Sequence, residues 1–377
     1  MKSISAKEIG PDVVRHQKTL NTKESVWDYA QSSDGNYIAF ISYPSAKIAT
    51  IELATGRIAE IDSINLKNIN SIFWHERVQR FAVSNNTSIC IINIKDKYIN
   101  VDRFDVENAH IGSPVSFYGD KDDILFRNFD IRSKYLVMKV SINDHKSISI
   151  LSTPDQFDKN RIFIKNASFQ NTERGVIFNY FVSDLDSINP DIGKAIQEGK
   201  TVPDVYAVSS FADGGNFALH PLRLDLDISH GIDGSGVIRQ YPSKMAQSRS
   251  TGLWVIFRES GTVVKNIEHD FTKDKSFEVY RPDGMRVAAF GGYGTVEGNQ
   301  INGFDLHPTQ PWAVTSASLV SPPSGPRAGM LTIWDIGTGM PIQRISAPKG
   351  LKNPIFSKAG TLITAACDDG FAIFTLK

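Results

Sequence analysis

Eight histidines are the first candidates for acid–base or metal chemistry, and their spacing supports neither. No HExxH pair and no Cys/His cluster at zinc spacing occurs. His75 and His307 open the sequences HERV and HPTQ, each directly after a short β-like run, so a turn role outweighs a ligand role. A nucleophilic site would need a Ser or Cys beside a His and a carboxylate, and no GxSxG elbow occurs. The phosphate-cradling GxxxxGKS/T loop is missing too, which leaves ATP or GTP hydrolysis without support. Two Gly-rich stretches, GIDGSG at 231–236 and GGYGTVEG at 291–298, lead into no helix-like segment and read as connections. The sequence therefore nominates no catalytic, metal-binding or cofactor-binding residue, and no cofactor is expected.

Charge and cysteine content narrow the partners. Lys+Arg and Asp+Glu both number 41, so no global field favours nucleic acid or an anionic membrane. No apolar run approaches the length of a signal peptide or the roughly 20 residues of a membrane span, which gives the expectation of a cytoplasmic protein. Cys90 and Cys367 both fall in apolar β-like runs, where a free thiol behaves as a small hydrophobe. The tripeptides starting at Asn86 and Asn166 match a glycosylation acceptor and carry no weight without a secretory context.

The elements that must position any site are short β runs between Gly, Asn, Asp and Pro clusters, with almost no 3.6-residue periodicity. The first clear unit reads VWDYAQSSDGNYIAFIS and then KIATIELATGRIAEID, with SSDG and ATGR as turns. Similar units recur to the end of the chain. The last fifty residues are the most regular: LTIWDIGTG at 331–339 alternates into a Trp-Asp pair and a Thr-Gly turn, and TLITAACDDGFAIF at 361–374 is two β runs around an Asp-Gly turn.

These last units resemble the WD-repeat family, whose repeat is one four-stranded blade that cannot bury its faces alone. The resemblance implies a closed ring of blades of roughly 40 to 45 residues each. The expected fold is an all-β, seven-bladed β-propeller of four-stranded antiparallel blades in one domain. Its blades fall at 26–62, 69–104, 113–151, 161–222, 236–290, 301–346 and 353–377. The last blade has three strands, and the β-like segment within 12–22 supplies the fourth, which removes an unpaired edge. GTVVKNI at 261–267 is a competing strand in the fifth blade. The resemblance gives Trp334, Asp335 and Asp369 structural roles, with Thr364 beside Asp369 and Phe374 in the place of a Trp. The Trp27–Asp28 pair falls on an innermost strand instead and does not match the motif. Asp-box repeats of sialidases and the paired glycines of kelch propellers are missing.

Function is expected in the loops. Three consecutive blades enlarge the connection from second to third strand, at 183–203, 258–275 and 319–328, and long loops on a rigid scaffold are where binding usually sits. In the first, Asn189, Pro190 and Gly199 are helix punctuation, and Ile192 and Ile196 make an apolar stripe that packs on the rim or meets a partner. The third, LVSPPSGPRA, is a Pro-rich exposed loop carrying Arg327. Ile192, Ile196, Phe271 and Arg327 are the candidate partner-binding residues. The expectation is a non-enzymatic scaffold for a protein or peptide, with no nucleic acid partner and no membrane insertion. The alternatives are a propeller enzyme or small-ligand binder at the central channel, faintly lactonase-like in its His307-Pro308 turn, and a structural subunit held by its rims.

Overall fold

The computed structural model describes residues 13–62, 64, 68–69, 71–75, 79–85, 88–95, 98–105, 111–118, 123–128, 135–141, 147–152, 162–172, 175–184, 205–211, 217–222, 242–258, 277–290, 300–318 and 329–377. Within them every regular element is a strand. After β1 (Val14–Asn21), the strands fall into antiparallel meanders. The first sheet is β2 (Ser25–Gln31), β3 (Tyr37–Tyr43), β4 (Ile48–Glu52) and β5 (Ile58–Glu60). The second is β6 (Ser71–Trp74), β7 (Arg80–Ser84), β8 (Ser88–Lys95) and β9 (Tyr98–Asp105). The third is β10 (Ile111–Tyr118), β11 (Asp123–Asn128), β12 (Tyr135–Val140) and β13 (Ser147–Ser152). The fourth is β14 (Ile162–Thr172), β15 (Gly175–Asp184), β16 (Val205–Phe211) and β17 (Phe217–Leu222). The fifth is β18 (Pro242–Gln247), β19 (Trp254–Arg258), β20 (Phe277–Tyr280) and β21 (Arg286–Phe290). The sixth is β22 (Gln300–Leu306), β23 (Trp312–Ser318), β24 (Gly329–Asp335) and β25 (Pro341–Ala347). The seventh breaks the pattern: β26 (Lys352–Phe356), β27 (Leu362–Cys367) and β28 (Gly370–Leu376) are completed by β1, in the order β1-β28-β27-β26.

The period-two alternation of the middle strands explains why these sheets exist only together. On β3, Ile38 and Phe40 join a core with Ala366, Phe371 and Ile373 of the seventh sheet, whereas Ala39 and Ile41 join another with Phe81, Val83 and Cys90 of the second. One strand thus has a buried face on each side, and each fully buried Ile or Phe contributes about 1.5–3 kcal/mol. Similar cores join the fifth sheet to the sixth through Phe277, Phe290 and Phe304, and the sixth to the seventh through Leu331, Ile333, Ile363 and Phe374.

The turns are equally repetitive. ELATG and DIGTG build one structure: Gly56 N donates to Glu52 O at 2.7 Å, and Gly339 N to Asp335 O at 2.8 Å. The Thr55 hydroxyl donates to the Glu52 carboxylate at 2.7 Å, and that of Thr338 to the Asp335 carboxylate at 3.0 Å. The left-handed φ of +71° at Gly339 is why glycine closes the motif. In the last hairpin Cys367 pairs directly with Gly370, so Asp368 and Asp369 are the two turn residues and the glycine opens β28. A Cβ at Gly370 would stand 2.3 Å from the Leu20 carbonyl oxygen, so the glycine is what lets the end of β1 approach.

The β1 strand is held on both sides. It pairs with β28 from Val14↔Leu376 to Asn21↔Gly370, and Thr22 N donates to Asp369 O at 2.9 Å. On its other edge the Gln343 amide of β25 acts as a short surrogate strand. Its Oε1 accepts from Val13 N and Val14 N at 2.8 and 2.7 Å, and its Nε2 donates to Val14 O at 3.0 Å.

Candidate functional site

The first strand of every sheet is an edge strand, with one row of backbone groups left by the ladder. These first strands lie beside one another: β2 packs on β6, β6 on β10, β10 on β14, β14 on β18 and β22 on β26. β2 also meets β27 of the seventh sheet. Between them lies a cavity of about 480 Å³, walled by parts of β2, β6, β18, β22 and β26 and by the turns that follow.

Side chains tie the β2 and β22 edges to neighbouring sheets. Asp28 on β2 accepts from Tyr29 N at 2.9 Å through Oδ1 and from Ile72 N on β6 at 3.3 Å through Oδ2. Burial pushes its carboxyl up to about 6 despite these bonds and the nearby Lys352. Asp305 on β22 accepts in the same way from Phe356 N on β26 at 2.8 Å. The Tyr29 hydroxyl lies against the carbonyls of Asn353 and Thr364, at 2.9 Å from the latter. Burial, then the charges of Asp305 and Asp28, push the phenol far above its ordinary value, so it stays a donor.

His307 is a turn residue. Its Nδ1 lies 3.1 Å from Thr309 N and 2.9 Å from Gln310 N, and therefore accepts. Nε2, 3.1 Å from Gly360 O, then carries the proton and donates. Burial holds the ring below the usual histidine value, in keeping with this neutral form. In the next sheet Ser357 holds the corresponding turn differently, its hydroxyl accepting from Leu362 N at 3.1 Å. His75 opens the corresponding turn, donating its N–H to Arg80 O at 2.8 Å, with its ring 4.8 Å from that of Phe117.

Trp334 is buried, and its Nε1 donates to Thr315 Oγ1 at 2.9 Å. Its ring lies 5.2 Å from that of Phe290 in the fifth sheet and beneath the Arg344 guanidinium at 5.6 Å. Asp335 anchors the Thr-Gly turn, and Asp369 is an exposed turn residue whose carbonyl holds Thr22. In the seventh sheet Phe374 pairs with Ile363 as Trp334 pairs with Ala313. The register then puts Ala365, not Thr364, in the place of Thr315, so Thr364 faces the other way. No protein-family model matches this chain, and no curated protein sequence does.

Ile192, Ile196, Phe271 and Arg327, the candidate partner residues, lie outside the described residues, as does 261–267. The stems of their connections are described: β15 to β16, β19 to β20, and β23 to β24, the same step in three consecutive sheets. The sequence reading missed Asp28, Tyr29, Asp305 and Gln343. The one signal available was an acidic or amide group set into an otherwise apolar run. Cys90 and Cys367 are buried free thiols, and burial pushes Cys367 up to about 11, which keeps it protonated and unreactive at neutral pH.

Proposed function

We propose that this chain is a divergent WD-like β-propeller of seven blades, closed by β1, which acts in the cytoplasm as a non-enzymatic scaffold. It docks a protein or peptide through the enlarged connections of its fourth to sixth blades. The closed ring is supported by the succession of four-stranded sheets, by the first strands that meet from β2 to β18 and from β22 to β26, by the core shared by the fifth and sixth sheets, and by β2 meeting β27. The observation that carries the function is how the central polar groups are used. Asp28, Tyr29, Asp305 and His307 bond backbone groups of their own or the adjoining sheet, which makes them braces. A braced ring presents its loops with little ordering cost on binding.

The test is affinity capture with the native chain and with a chain in which 185–203, 259–275 and 319–328 are replaced by Asp-Gly hairpin turns. Surface loops tolerate such changes, so the ring should melt as before while capture falls at least about tenfold. Undiminished capture by the folded replacement chain would reject the reading. A second reading, a small-ligand binder or lactonase-like enzyme at the centre, is favoured by the 480 Å³ cavity with Arg249 and Lys358 on its lining. It would show as ligand-induced stabilisation lost in Arg249→Ala and Lys358→Ala.

A further inference from the structure

The first strands carry a repeated irregularity at one end. In β2 the register passes from Val26↔Ser42 to Asp28↔Ile41, leaving Trp27 as the extra residue of a bulge. In β18 the corresponding residue is Ser243, between Pro242↔Arg258 and Lys244↔Phe257. In β22 it is Asn302, between Ile301↔Ala317 and Gly303↔Ser316. A bulge re-aims one side chain away from the ladder, and the sequence has Ser and Asn at the corresponding positions of the other two strands. The local fold therefore does not call for an indole at position 27.

The indole is nonetheless there, 57% exposed, and stacked on Tyr43, which is equally exposed, with ring centroids 5.8 Å apart at 29°. Each ring's only aromatic or cationic partner among the described residues is the other ring. A carboxylate is held by the residues that adjoin them in the two strands. Ser25 pairs with Tyr43, and the preceding Glu24 accepts through Oε2 from the hydroxyl of Ser45, two residues beyond Tyr43. Ser45 is in turn bonded to Ser42 at 2.8 Å. The hydrogen bonds from Ser45 and then Ser42 hold the Glu24 carboxyl below its ordinary range, so it is ionised at neutral pH. Lys47, whose charge also lowers it, is paired with Glu60 at 3.0 Å.

Two electron-rich ring faces beside an oriented carboxylate suit a guanidinium, which can lie flat on an aromatic ring while its edge donates to the carboxylate. We propose that Trp27, Tyr43 and Glu24 form a docking point for an arginine side chain of a basic peptide segment on the partner. Tyr43 ends β3, so the site stands where second strands lead to third strands, the step enlarged in the fourth to sixth sheets. The inference rests on the scaffold reading and supplies the chemistry of its partner. An acidic segment is repelled by Glu24, and a Pro-rich segment would use the rings and leave the carboxylate idle.

The probe is a blocked octapeptide alternating Gly and Arg, titrated into the full chain labelled with fluorotryptophan. The Trp27 resonance is assigned by its loss in Trp27→Phe. That resonance should shift at peptide concentrations up to about 5 mM. Affinity should fall about two- to fivefold in Glu24→Gln and in Tyr43→Ala, with melting temperatures unchanged because these side chains lie at the surface. An unmoved Trp27 resonance overturns the proposal. An equal response to the citrulline, Glu or Pro octapeptide overturns it as well. Partner capture tests the scaffold separately. Capture lost only in the loop-replacement chain and kept in Trp27→Ala refutes the docking point and leaves the scaffold reading standing. Capture kept in the loop-replacement chain refutes the scaffold reading, whatever the peptide does.

Discussion

Gln343→Ala removes a side-chain amide from a residue only 3% exposed, and its partner Val14 is only 1% exposed. Three hydrogen bonds go with it. Val13 is only partly buried and can turn to water, but the N–H and C=O of Val14 are left without these bonds. Two orphaned backbone groups cost about 1–3 kcal/mol each. Release of the fixed glutamine side chain returns about 1.5 kcal/mol. The net loss should centre on about 2 to 3 kcal/mol, read as a lower urea midpoint at unchanged slope. Hydrogen exchange localises the effect: the Val14 amide should lose protection first, ahead of the amides bonded within the β1–β28 ladder. Gln343→Glu is a sharper probe, because a carboxylate still accepts from both N–H groups but faces the Val14 carbonyl without a proton. Burial raises its pKa, so the Glu variant should regain stability as the pH falls and the acid can donate. If Gln343→Ala alters neither the urea midpoint nor exchange at Val14, the amide contributes nothing and β1 is held by β28 alone.

Trp334→Ala should cost about 3 to 5 kcal/mol as a large core truncation. Trp334→Phe, which copies Phe374 of the seventh sheet, should cost about 1 to 3 kcal/mol through the orphaned Thr315 hydroxyl, and adding Thr315→Val should recover part of it in a double-mutant cycle. Asp28, at about 6 when folded against an ordinary value of 3.8, binds its proton more tightly in the native state. Its contribution therefore favours the fold fully below about pH 4 and is lost as the pH rises through 6, by up to about 3 kcal/mol. Urea midpoints from pH 4 to 8 should show this dependence in the native chain and lose it in Asp28→Asn; parallel profiles would refute the assignment.

Local rules made the strands and turns readable. ELATG and DIGTG share a Thr-Gly pair because one left-handed glycine and one hydroxyl bonded to an acidic side chain close the same turn, and that information lies within five residues. HPTQ read as a turn for a similar reason: the imidazole bonds N–H groups two and three residues ahead. The braces were not readable, because Asp28 and Asp305 each reach a backbone N–H of a neighbouring sheet, which no side-chain pattern announces. Gln343 is the extreme case, its bonds reaching 329 residues back along the chain. Thr364 illustrates a subtler miss: its type suits a partner for an indole, but a register one residue away turns it to the opposite face.

The pairing of β1 with β28 sets a clock on biosynthesis. Val14 leaves the ribosome about 360 residues before its partner Leu376, a delay of roughly 20 to 70 s at 5 to 20 residues per second. Throughout that interval Val14 and Leu20, both buried in the finished molecule, have no partner strand, while six complete sheets can already be assembling downstream. The β1 segment is thus exposed throughout that interval, and its capture waits on the emergence of β28.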